Sequence, residues 1–311
     1  MPDVPCNGSR VCGVAATVVI TTGIVMAYVW QLIVLEFKDG HTVLPAVSIA
    51  LIVPSLVMLL ICFARVVTEH PGHPPDYLST AYMRGCVRDL QLEWFAKASR
   101  QPPLVLRDVG SFFPSLRECV YCNTWKSDTT HHCSSCHTCI VEMDHHCPWV
   151  GQCVGEGNHK FFLLFLLYAN VSAVVIFATC LPRVIEHGGV DSPGSLAVCI
   201  VAGTITLVIG PFFVDSFFNV ANETSTISQM QKRRLLRRSA AEQVSIAVLS
   251  PEEAPAAEPK HKMESLRRVF GTDSIIPWWV LPTTPSRDQQ NDEQRWRAHV
   301  MTVVQKALDD S

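Results

Sequence analysis

Seven cysteines and five histidines fall between Cys119 and Cys153, far denser than in the rest of the chain. The spacing is Cys119-x2-Cys122, then His132-Cys133-x2-Cys136-x2-Cys139, then Asp144-His145-His146-Cys147-x5-Cys153. Cys-x2-Cys pairs followed by later His and Cys residues supply the closed, four-ligand shells of structural zinc. Two tetrahedral sites of three thiolates and one imidazole each consume six cysteines and two histidines. One thiol, Cys147, is left over. A thiol beside a histidine and a carboxylate, on a scaffold fixed by metal, has the parts of an activated nucleophile. Zinc is read here as architecture and not as a Lewis acid, because this stretch has little other material from which to build a core.

If residues 145–147 are extended, His145 and Cys147 project to one side and His146 to the other, where a metal could sit. Plain alternation sends Asp144 with His146, so a turn is needed to bring it to His145. His131 and His137 read as exposed residues of the knuckles. Cys62, Cys180 and Cys199 lie in apolar segments and read as small hydrophobes. Cys6 and Cys12 read as reduced thiols near a membrane end.

The elements that must carry this cluster are apolar. Only 17% of the 311 residues are charged, and the mean hydropathy is +0.22. Four uncharged stretches, at about 11–35, 42–64, 161–182 and 192–214, each reach the ~20 residues that a membrane-crossing helix needs. The first is too long in its apolar part for a signal peptide and has no clear cleavage site after it. A net charge of -3 without any basic, aromatic-laced domain gives no sign of nucleic acid as a partner. Lysine and arginine concentrate between Arg65 and Lys160 and again after Val220, as in the cluster Lys232, Arg233, Arg234, Arg237 and Arg238. The positive-inside bias therefore places the Cys/His region and both termini in the cytosol. Short links at 36–41 and 183–191 face the other side. Thiols in a reducing compartment serve as ligands or nucleophiles more often than as disulfides.

The fold expected is an all-α polytopic membrane protein with four transmembrane helices and a cytosolic two-zinc module between helices 2 and 3. Its parts are a helical hairpin (1–64), a connecting segment (65–118), the cysteine-rich module (119–160), a second hairpin (161–219) and a cytosolic tail (220–311). Pro45 and Pro54 predict a kink in the second helix. An amphipathic stretch from Leu78 to Arg100 reads as a connecting helix. The tail holds a Pro/Glu/Ala-rich linker at about 244–263, the apolar runs Val269-Phe270-Gly271 and Pro277–Pro282, and a stripe from Trp296 to Leu308. No internal repeat stands out. Small residues on the third helix, Ala169, Ser172 and Ala173, read first as a close-packing surface and second as room for a ligand.

At the quoted cysteine-rich positions, continuing through Asn158 and Phe161, the chain resembles the DHHC family of protein S-acyltransferases, or palmitoyltransferases. The resemblance implies one zinc on Cys119, Cys122, His132 and Cys139, and a second on Cys133, Cys136, His146 and Cys153. It implies Cys147 as the acyl-accepting nucleophile, His145 as its base and Asp144 as the group that orients the base. Palmitoyl-CoA or a similar acyl-CoA is then the co-substrate. Membrane-associated proteins with cytosolic cysteines are the acceptors, the bilayer houses the acyl chain, and an accessory subunit is conceivable. An endomembrane location, Golgi or ER, fits this reading better than the plasma membrane. Three motifs depart from the family pattern: His70-Pro71-Gly72 stands for Asp-Pro-Gly, Ser225-Thr226-Ile227-Ser228 lacks the glutamate of Thr-Thr-x-Glu, and Val269-Phe270-Gly271 is what remains of the C-terminal aromatic motif. The rival reading is a catalytically silent, membrane-anchored zinc adaptor. A transporter fits less well, since the helices lack paired charges.

Overall fold

The computed structural model describes residues 9–31, 40, 43–85, 88, 117–127, 129–191, 193–222, 259–271 and 279–284. Four long helices carry the apolar stretches: α1 (Ser9–Val29), α2 (Val43–Thr68), α3 (His159–Asp191) and α4 (Pro193–Ala221). Each is long and apolar enough to cross a membrane, and the chain is an integral membrane protein. In hydrocarbon only a helix or a closed barrel satisfies every backbone polar group, so such stretches fold as helices. Side chains such as Val19, Leu51 and Leu207 stay exposed on the outer surface, where lipid replaces water as the solvent. Helix α3 is the central element and packs on both α2 and α4, while α1 leans on α4.

The third helix runs further than its sequence suggested. It passes through Pro182 and the expected link at 183–191, and α4 begins two residues later at Pro193. The end of an apolar run marks the end of the hydrocarbon, not of the helix. Pro193 then opens α4 at the one helical position where a missing N–H costs nothing. The expected amphipathic stretch at 78–100 is described only at its start, as a 3-10 turn at Asp76–Leu78 and helical residues 80–85. The 36–41 link apart from Gly40, the 232–238 basic cluster, Ser225–Ser228 and the stripe after Trp296 lie outside the described residues.

Between α2 and α3 the cysteine-rich module folds as three small antiparallel hairpins. They are β1 (Arg117–Cys119) with β2 (Thr124–Lys126), β3 (His131–Cys133) with β4 (Thr138–Ile140), and β5 (His145–Cys147) with β6 (Gln152–Val154). The module is bound to the membrane helices at both ends. The Gln152 amide donates to the carbonyls of Val66, Val67 and Glu69, groups that the end of α2 leaves without helical partners. His70-Pro71-Gly72 then docks on the module: the N–H of Gly157 donates to Pro71 O (2.9 Å) and that of Val141 to Gly72 O (3.1 Å). A Cβ at Gly157 would lie 2.0 Å from His70 O, so only glycine permits this approach. Asn158, fully buried, accepts from the N–H of Gly155 and donates to Cys153 O, both at 3.0 Å, which ties the last hairpin to the start of α3.

A fifth helix, α5 (Pro259–Phe270), begins inside the tract expected as linker. Its Leu266, Val269 and Phe270 are buried against Cys62, Leu163 and Val220 at the module end of the helix bundle. Phe270 stacks on Trp279 with ring centroids 5.4 Å apart. Lys160, also buried, donates to Phe270 O (3.2 Å) and Thr283 Oγ1 (3.0 Å). A cation on the last carbonyl of a helix is favoured by the helix dipole. The residual motif Val269-Phe270-Gly271 therefore still docks where the helices meet the module.

Candidate active site and metal centres

The three hairpins repeat one plan every fourteen residues. Cys119, Cys133 and Cys147 each end a first strand, and their cross-strand partners are Thr124, Thr138 and Gln152. Each turn closes on a residue with positive φ: Asn123 (50°), His137 (54°) and Gly151 (67°). This repeat went unseen in the sequence. Its signal was present in the 14-residue intervals between the three cysteines, between His132 and His146, and between Cys139 and Cys153. It is shorter than the periods of 20 or more residues that mark repeat architectures, and its third unit is incomplete.

The plan determines who binds metal. Cys119, Cys122, His132 and Cys139 form one group of ligand atoms, and Cys133, Cys136, His146 and Cys153 a second, each within 4.8 Å. Each group joins the Cys-x2-Cys turn of one hairpin to a facing His/Cys pair of the next, His132 opposite Cys139 or His146 opposite Cys153. The third turn has Val150 where the others have their second cysteine, and no fourth hairpin follows to offer a His/Cys pair. That leaves Cys147 outside both groups.

The donor sets suit zinc. Sulfurs of the first group lie 3.2–3.9 Å from His132 Nδ1, and those of the second 3.3–3.7 Å from His146 Nδ1. A tetrahedral zinc with bonds of about 2.3 Å to sulfur and 2.0 Å to nitrogen separates such atoms by about 3.5 Å. With all four positions filled by protein, neither site has room for a substrate or water. Bound metal would clamp hairpin to hairpin.

The strand β5 sorts its side chains as alternation requires. His146 turns to the second metal group, while His145 and Cys147 face a cavity. Asp144 precedes the strand, its N–H donating to Val154 O, and its buried carboxylate Oδ2 sits 2.8 Å from His145 Nδ1. This is the turn that alternation alone could not supply. With Nδ1 donating to the carboxylate, Nε2 is left for the Cys147 thiol, which lines the same cavity as His145. Burial opposes a charged imidazole, but the hydrogen bonds to Asp144 and Cys147 outweigh it and hold His145 up at about 9. Burial likewise opposes the thiolate, yet hydrogen bonds from His145 and the N–H groups of Val150 and Trp149 bring Cys147 below its ordinary range. The same backbone donors, two and three residues on, serve the ligand Cys133. The nucleophile candidate thus sits in a knuckle built to stabilise thiolate, without the metal.

The cavity holds about 660 Å³ and is almost wholly apolar, within the ~300–1,000 Å³ usual for ligand pockets. Its lining runs from His145, Cys147 and Trp149 among α1, α2, α3 and α4 to Ile176 and Ala202. The His145 ring lies edge-on to Phe162 (5.1 Å) and Phe212 (6.3 Å), which line the cavity beside it. Phe162 and Ile176 are separated by about 21 Å of helix at 1.5 Å per residue. Ala169, Ser172 and Ala173 line the wall, so these small residues border the cavity as well as a close helix contact. Ser172 also bonds Ser55 of α2 at 3.0 Å. Phe212, Trp149, Thr17 and Gln152 were not legible as site residues, because their roles depend on helices that meet only in three dimensions.

Comparison with known proteins bears on the same region. Residues 113–233 match the family model of the DHHC palmitoyltransferases. Palmitoyltransferase PFA3 of Saccharomyces cerevisiae is 34% identical over 201 residues, 60% of this chain and 56% of that protein. Probable protein S-acyltransferase 13 of Arabidopsis thaliana is 31% identical over 189 residues, 57% of this chain and 59% of that protein. The chain spans under three fifths of the length of these relatives. The hairpins, both metal groups, α3 and α4 thus lie within the residues that match the DHHC palmitoyltransferase family model.

Proposed function

We propose that the chain is a protein S-acyltransferase that works through an acyl-Cys147 intermediate. The observation that carries this reading is a thiol, outside both metal groups and beside an Asp144–His145 pair, in the wall of a long apolar cavity among membrane helices. In the first step the Cys147 thiolate attacks the carbonyl carbon of an acyl-CoA such as palmitoyl-CoA. The carbonyl–sulfur bond to CoA breaks, and the proton held by His145 passes to the departing CoA thiolate. In the second step His145 takes the proton of an acceptor cysteine, whose sulfur attacks the acyl-Cys147 carbonyl and releases Cys147 as thiolate. Two thioester exchanges are nearly balanced, so the enzyme's contribution is placement: the tail in the cavity, the carbonyl at the sulfur. Zinc at the two four-ligand sites would supply rigidity alone.

Acceptors are membrane-associated proteins with cytosolic cysteines, since Cys147 lies at the bilayer boundary. The starts of α1 and α3, the ends of α2 and α4, and α5 all gather on the module's side, which supports a cytosolic module with both termini beside it. The layout read from sequence (1–64, 65–118, 119–160, 161–219, 220–311) and an endomembrane site complete the proposal. The test is incubation of the purified protein with labelled palmitoyl-CoA. Label removable by hydroxylamine on the wild type, absent from Cys147→Ser, supports the enzyme. No label on either supports a silent adaptor.

A further inference from the structure

The first two turns of the module each give two cysteines to a metal-ligand group, and the third gives none. Beyond the burial of Val150, helix α1 grips the third turn. An ideal Cβ on Gly13 would lie 1.7 Å from the Pro148 carbonyl oxygen and 2.7 Å from its carbon, so the turn after Cys147 sits directly on the helix backbone at a residue with no side chain. One helical turn on, the Thr17 hydroxyl lies 3.0 Å from the Trp149 carbonyl oxygen and shares its proton between that oxygen and Gly13 O, also at 3.0 Å.

These two carbonyls are not arbitrary. In a trans peptide the C=O and the following N–H point in opposite directions across one rigid plane. Pro148 C=O shares its plane with the N–H of Trp149, and Trp149 C=O with the N–H of Val150. In the second hairpin, of the same register, the N–H three residues after Cys133 lies 3.4 Å from its sulfur, and Val150 N–H holds that position after Cys147, with Trp149 N–H one residue before it. A grip on the carbonyls therefore sets the direction of the donors. Thr17 and Trp149 also line the cavity, so the same contact registers the turn against the space for the acyl tail.

We propose that Gly13 and Thr17 are positioning residues for acyl transfer: helix α1 takes the place of a third metal by fixing the two peptide planes that aim at Cys147. This rests on the acyltransferase reading above. The role is in chemistry and not in chain binding, so its loss appears in kcat with KM nearly unmoved. The full-length protein is assayed for acyl-Cys147 formation from palmitoyl-CoA, with zinc content measured alongside. Thr17→Val, equal in volume but without the hydroxyl, is expected to slow acylation roughly fivefold, about the worth of one hydrogen bond. Thr17→Ser, which restores the donor, recovers most of that rate. Gly13→Ala, which drives the turn off the helix, is expected to slow it by about a hundredfold, the cost of a misplacement near 1 Å. If Gly13→Ala fails to fold, the Thr17 pair decides alone. Thr17→Val as fast as wild type, Thr17→Ser as slow as Thr17→Val, or a loss confined to KM would each overturn the inference. A wild type that takes no label overturns the acyltransferase reading instead.

Discussion

The second hairpin and the third share a register, a turn and a first cysteine, yet only the second uses that cysteine as a ligand. In the second, Cys133 and Cys136 face the His146/Cys153 pair of the next unit, and the turn residues Ser134 and Ser135 are open to solvent. In the third, Val150 replaces the second cysteine and is fully buried with Val66, Phe161 and Phe162, and the turn leans on α1. The difference shows how one cysteine of a ligand motif can be kept out of the metal groups. Remove one ligand and the unit that would supply two more, keep the backbone donors that stabilise thiolate, and replace the metal's grip with hydrophobic packing on membrane helices.

The largest effects come from the two equivalent cysteines, and they should differ in kind. Cys133→Ser takes a ligand from a closed site, so zinc should fall from two per chain to at most one. The module should then lose its cooperative fold, since structural metal sites contribute folding energy directly. Cys147→Ser should keep both metals and the fold while losing all acyl label. Metal analysis and labelling on the same preparations check this, and a Cys147→Ser protein short of zinc would undo the contrast. Next in size is Asp144→Asn. The carboxylate 2.8 Å from His145 Nδ1 keeps Nε2 toward the thiol, and an amide can present its own N–H and favour the wrong tautomer. Acylation should slow by about 100-fold or more, within the range of general acid–base effects, with zinc unchanged.

The two ligand groups were plain in the sequence because thiol and imidazole ligands cannot hide: their number and spacing left Cys147 over before any fold was known. The four helices were plain for a similar reason, since hydrocarbon demands long uncharged runs. What stayed hidden depends on backbone geometry. Asp144 should oppose His145 by strand alternation, and reaches it only because it lies just before β5. Gly13 is one glycine in an apolar helix until Pro148 is seen against it. Lys160 read as a topological charge, whereas it is buried and holds the end of α5.

The packing side of the comparison is open to a stability measurement. Val150→Ala deletes two buried carbons from the third turn and should cost about 2 kcal/mol. Ser134→Ala on the exposed second turn should stay within about 0.5 kcal/mol. Thermal unfolding of the two variants in one detergent checks the difference, and equal shifts would mean that the third turn draws little from its burial.

The smallest effect is the sharpest test of why Cys147 is spare. Val150→Cys restores the Cys-x2-Cys pair and makes the third turn a copy of the first two. If the pair alone captured metal, the variant would bind a third zinc and bury its nucleophile in it. Each metal group here also needs a His and a Cys facing each other on the following hairpin. After β6 the chain enters α3 without a further hairpin to carry a facing His/Cys pair, and the backbone of Gly13 lies against the turn. Two thiolates without two further donors leave a zinc ion half-coordinated, too weakly held to survive dialysis against a mild chelator. The variant should therefore hold two zinc ions per chain, the number expected of the wild type, and keep a Cys147 that still takes acyl label. A third tightly held ion would show that the absent cysteine by itself, and not the absent fourth hairpin, keeps this thiol free.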